Sequence, residues 1–91
     1  MENDFKYVTY GDDEIAVVKS GITAIQTILM GIDNNKKRSL LFALDWFMDP
    51  FYKQNIVIAG FRDDLKDLLQ ILIISSHNKD VVEDAINLLF Y

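Results

Sequence analysis

The sequence predicts an all-α fold of four to five antiparallel helices, and three observations carry that prediction. Apolar residues recur at intervals of three and four through most of the chain, glycine and asparagine punctuate the periodic segments, and the connections between segments are short enough to make neighbouring helices antiparallel. A chain of 91 residues fits one domain, spanning 1–91, with 1–11 as an extended lead. With 51% hydrophobic and 25% charged residues it can form a core, although a chain this short buries only roughly 60 to 65% of its unfolded surface.

The elements follow in order. Aromatic residues in "DFKYVTY" give a weakly strand-like start. Gly11 and the acidic "DDE" then announce a helix, because carboxylates favour the positive end of the helix dipole. That first helix is expected from Asp12 to about Met30, with Ile15, Val18, Ile22, Ile25 and Leu29 inward and a small-residue stripe (Ser20, Ala24, Thr27, Gly31) open to a close neighbour. Gly21 costs on the order of 1 kcal/mol in a helix interior, which leaves room for a break at 19–21. After "GIDNN", with Asn34 or Asn35 as cap, a second helix runs from about Lys36 to Met48 on Leu40, Leu41, Leu44, Phe47 and Met48.

Pro50, the sole proline, disfavours a helical residue before it and suits a helix start, so Asp49 caps a third helix over 50–59 that Gly60 closes. The alternative makes "NIVIAGF" a strand paired with "KYVTY". From Arg62, Leu65, Leu68, Leu69, Leu72 and Ile73 mark a further helix. Asn78 or Asp80 caps the last one, with apolar rows Val81, Ala85, Leu88 and Val82, Ile86, Leu89. Its apolar end has to pack on the domain, on a second copy or on a partner.

Composition narrows the chemistry. Without cysteine there is no disulfide, thiolate zinc site or cysteine nucleophile, and a reducing cytoplasmic location is the expectation. No run reaches the roughly 18 to 20 apolar residues of a membrane span, and "MENDFKYVTYG" is no secretory signal. His77 is the only histidine and falls in a turn, and the four glycines never cluster into a phosphate loop. No catalytic residue, cofactor or metal is therefore expected. Carboxylates at the helix starts, among them Asp63, Asp64, Asp80 and Asp84, read as dipole partners. The net charge of −5 argues against nucleic acid and for a cationic partner, and "KKR" at 36–38 is too short for a nucleic-acid patch.

The stretch "FALDWFMDPFYK", 42–53, carries the candidate site. On a helix Phe42, Asp45, Trp46 and Asp49 share one face away from Leu41, Leu44 and Met48. Either a neighbouring helix covers the rings, or this face meets another protein, where aromatics beside fixed charge are common anchors. The expected partner-binding residues are Asp45, Trp46 and Asp49, then Tyr52 and the cluster Asp12, Asp13 and Glu14.

The last third, "DDLKDLLQILIISSHNKDVVEDAINLLFY", resembles a HEAT or armadillo-type unit, two apolar helices around a polar turn. No repeat of 34 to 45 residues recurs, so the fold is a HEAT/armadillo-like or irregular bundle rather than a regular solenoid. A small, acidic, cysteine-free helical chain of this kind also looks like the bacterial immunity proteins that neutralise polymorphic or contact-dependent-inhibition toxins. That resemblance is one of pattern and carries no individual residue across. It implies tight binding of a cognate toxin domain, often a basic nuclease, without chemistry by the immunity protein. The alternative is a small helical scaffold or regulatory subunit that homodimerises through its C-terminal helix, so the expected state is a monomer on the first reading or a homodimer on the second.

Overall fold

Gly21 divides what the periodicity reads as one long helix. In the computed structural model, which describes residues 10–91, α1 spans Asp12–Lys19 and α2 spans Ile22–Leu29, and between them Gly21 adopts φ 100° and ψ −175°. Only glycine enters that region without strain, so the bend is written into the residue. The bend separates the small-residue stripe: Ser20 and Thr27 point to solvent and donate back to the carbonyls of Ala16 and Thr23, instead of receiving a neighbouring helix. Val18, Ile25 and Leu29 are fully buried, with Ile15 and Ile22 packed against them.

The helix starts follow the capping chemistry, with one change of residue. Glu14 Oε1 accepts from the Gly11 amide at 2.7 Å at the head of α1. Helix α3, Asn34–Met48, is capped by Asp33 rather than Asn34 or Asn35; its carboxylate accepts from the Lys36 amide at 3.1 Å, where the helix dipole also favours negative charge. All five apolar residues expected inward on α3 are buried.

After Met48 the chain departs from the expected third helix over 50–59. Asp49 is extended and accepts from the Phe51 amide at 2.9 Å, a local turn in place of a helix cap. The Asn55 amide donates to the Pro50 carbonyl at 3.0 Å, and only Ile56–Ala59 forms a helix, α4, which buries Ile58. Gly60 ends it with φ −75°, not in a left-handed cap. No strand occurs among the described residues, so "NIVIAGF" is turn and helix, and "KYVTY" lies almost wholly outside them.

Helices α5, Arg62–Ser75, and α6, Lys79–Leu89, form a hairpin in which Asn78 caps α6 by accepting from the Val81 amide at 3.0 Å. Among the described residues six helices thus stand where four to five were expected, the extra one coming from the bend at Gly21. Helix α6 packs most extensively on α5 and α3. It does so with Val81, Ala85 and Leu88, while the row of Val82, Ile86 and Leu89 stays at the edge. All six helices contribute to one apolar cluster, each buried leucine adding roughly 1.5 to 3 kcal/mol relative to exposure.

Arg38 ties α3 to α6 from within the core's rim, with Nε 2.9 Å from Asp84 and Nη1 3.9 Å from Asp80. Asp84, expected as a dipole partner, is instead the acid of this pair. Among the described residues no helix is long and apolar enough to cross a membrane.

Candidate functional site

The face predicted on α3 exists, and its rings are not covered by a neighbouring helix. Phe42 and Trp46, one helical turn apart, both reach solvent, and the indole residue is 45% exposed. Tyr10 meets Phe42 edge-on with centroids 5.5 Å apart. Tyr52, brought back by the 49–55 turn, lies 6.1 Å from Trp46 and makes a T-shaped contact of 5.3 Å with the buried Phe47. Such edge-to-face geometry is favourable for aromatic quadrupoles and fixes the rings. A row of aromatics is thereby held on a rigid base, with Phe47 as the residue beneath it.

Each carboxylate on this face keeps an oxygen free of the contacts that place it. Asp45 Oδ1 accepts from the Tyr91 hydroxyl at 2.8 Å, which closes the end of the chain over α3. Asp49 Oδ1 holds the Phe51 turn. The Tyr91 carbonyl also accepts from the Lys66 ammonium of α5, so the chain end bridges two helices.

The Asp45 carboxylate, by taking the phenolic proton in a hydrogen bond, raises the Tyr91 hydroxyl above the ordinary tyrosine range, and desolvation and the charges of Asp45 and Asp49 push the same way. The neutral phenol is the form the fold favours. Its contribution is present below about pH 10, the unfolded tyrosine value, and is lost as pH rises through the higher folded value. Tyr91→Phe should therefore remove a tyrosine that ionises above the ordinary range from an absorbance titration at 295 nm, and should flatten the loss of stability above about pH 10. An identical titration curve in the variant would sink this assignment.

The second acidic cluster begins two residues after Tyr10, whose ring meets Phe42 at one end of this face. Asp12 and Asp13 are exposed in the first turn of α1, and Asp13 and Glu14 line a cleft with Lys36 at the start of α3. Lys36 and Asp45 are nine helical residues apart, which separates them by about 13 Å and half a turn.

Three features here escape sequence reading. Phe51, 92% exposed beside Tyr52, projects from the turn after Pro50, a position that a regular helix over 50–59 would not have singled out. Ile56 at the start of α4 is also exposed. Between α3 and α6, a small cavity of about 140 Å³ lined by Arg38, Phe42, Asp45, Asp84 and Asn87 runs alongside the aromatic row. The first could have been suspected from a proline-aromatic-aromatic turn; the cavity depends on how two distant helices pack. Among the described residues, no group of three or more histidine or carboxylate side chains could hold a metal. No protein-family model, curated protein or solved structure matches this chain.

Proposed function

We propose that this chain is a non-catalytic binding protein that neutralises a cognate basic toxin domain, as an immunity protein does, by covering it with the α3 face and the 49–56 turn. The observation that carries this reading is Trp46, an indole 45% exposed and braced by Tyr52, with Asp45 one residue before it and Asp49 at the end of the same helix in an acidic protein. A monomeric domain does not ordinarily leave its sole tryptophan half-exposed, with Phe51 and Ile56 also in solvent, without a use for such surface. Acid complementary to a basic partner raises the association rate, and the anchored rings set the lifetime of the complex.

The test is co-expression with the product of the adjacent gene. A complex that survives moderate salt, with a shift in Trp46 emission on mixing, supports the reading; a neighbour that is no toxin and a complex that dissolves with salt reject it. Within that complex Trp46→Ala should weaken binding by about 2 kcal/mol, roughly 30-fold, mostly through faster dissociation. Asp49→Asn should act chiefly on the association rate at low salt. Equal affinity in Trp46→Ala would move the interface elsewhere.

A second reading, homodimerisation through α6, is favoured by Phe90, which is 84% exposed next to the half-covered Ile86. Removing 86–91 would also delete the core residue Leu88 and the Tyr91 bond, so Phe90→Glu is the cleaner variant. A mass in solution that halves in Phe90→Glu establishes the dimer.

A further inference from the structure

The basic run at 36–38 does not act as a unit. Lys36 is exposed beside Asp13 and Glu14, and Arg38 pairs with Asp80 and Asp84. Lys37 is only 9% exposed and makes no side-chain hydrogen bond or ion pair with any described residue. A lysine with so little exposed surface and no counter-charge is costly to keep unless its ammonium reaches water or an anion.

Lys37 lines an open cavity of about 400 Å³ where the start of α3 meets the α5–α6 turn. Its polar lining comprises Asn34, Lys37, Ser75, Ser76, His77 and Asn78, and it contains no carboxylate although acids outnumber bases in the chain. Asn78 spends its side-chain carbonyl on the Val81 amide and Ser76 accepts from the Asn78 amide, so these two residues keep an amide NH2 and a hydroxyl proton to donate. The nearest acid in sequence, Asp33, is held by the Lys36 amide outside the lining. The starts of α3 and α6 border the cavity with positive dipole ends and the ends of α2 and α5, at Gly31 and Ser75, with negative ones, so the preference for an anion rests on the side chains.

From Lys37, buried and unpaired among the described residues, in a carboxylate-free cavity rich in side-chain donors, we infer that this chain binds the phosphoryl group of a small phosphomonoester there. A tetrahedral dianion offers acceptors enough for an ammonium, two hydroxyls, two amides and an imidazole N–H, whereas a carboxylate satisfies fewer of them. The cavity also exceeds a phosphate in size, which leaves space for the ester group. Lys37 and Trp46 stand nine residues apart on α3, about 13 Å and half a turn, so this site is separate from the aromatic face and independent of the partner proposed for it.

Inorganic phosphate is the probe, titrated against the 15N-labelled full chain at constant ionic strength with sodium chloride as reference. The expected result is saturable shifts of the amides of residues 34, 37 and 75–78. Lys37→Met should weaken them at least about tenfold, since it removes a charge-assisted bond, and the charge-matched Lys36→Met should leave them within about twofold. His77→Ala, altered in an exposed turn where folding is not at stake, should weaken binding more mildly. Lys37→Met should in addition raise the melting temperature without phosphate and abolish its increase with phosphate. Shifts that never saturate, or that fall equally in Lys36→Met and Lys37→Met, overturn the proposal.

Discussion

Phe47→Ala is expected to destabilise the domain by about 3 to 5 kcal/mol, the range for truncating a fully buried phenylalanine and leaving a cavity. Domains of this length have total stabilities of roughly 5 to 14 kcal/mol, so the variant stands near the limit of folding. Phe47 is buried to 1% exposure in the main cluster and also supports Tyr52 through the T-shaped contact. Its loss should thus loosen the ring beside Trp46 as well as the core. Urea melts followed by circular dichroism measure the first effect, and Trp46 emission in the still-folded baseline measures the second. Phe51→Ala, four residues on, is the counterpart: its ring lies in solvent and its removal should change stability by no more than about 0.5 kcal/mol. Equal effects of the two substitutions would mean that the assignment of core and surface within this stretch is wrong.

The second large effect is expected at the α1–α2 bend. A Cβ on Gly21 would meet nothing within 4 Å, so Gly21→Ala creates no clash, but it places an L side chain at φ 100°. Backbone strain of that kind costs about 1 to 3 kcal/mol. Relief by straightening the bend would pull Ile25 and Leu29 out of register with α3 and α5, so the cost is not easily escaped. Gly60→Ala is the control. Gly60 has equal space and an ordinary φ of −75°, and the added alanine should be neutral or stabilise by up to about 1 kcal/mol through the unfolded chain. Thermal unfolding of the pair distinguishes conformational strain from a general intolerance of alanine.

Core positions were legible because burial on a helix repeats every three to four residues, and leucines at 40, 41, 44, 65, 68, 69 and 72 all lie inside. The starts of α1, α3, α5 and α6 were legible within one or two residues because a helix start is marked locally, as where Asn78 acts on the Val81 amide three positions away. The 49–59 segment was misread because Asp49 and Pro50 serve equally well in a helix start and in a turn. What selects the turn is a set of later contacts, the Asn55 amide to the Pro50 carbonyl and Arg62 to the Met48 carbonyl at 3.2 Å.

The candidate face shows the same division. That Phe42, Asp45, Trp46 and Asp49 share one side of α3 follows from helical geometry alone, and so does the alternation with Leu41, Leu44 and Met48. Whether another helix would cover that side depended on where α1, α5 and α6 settle, and none of them covers Trp46. The three cations at 36–38 are indistinguishable in the sequence. Packing sends one to solvent, one to an ion pair and one into a cavity, because neighbouring residues on a helix point about 100° apart and meet different elements. Local interactions within a few residues determined the helices, their caps and their apolar stripes; contacts between residues dozens of positions apart decided which charges are paired and which rings remain free to meet a partner.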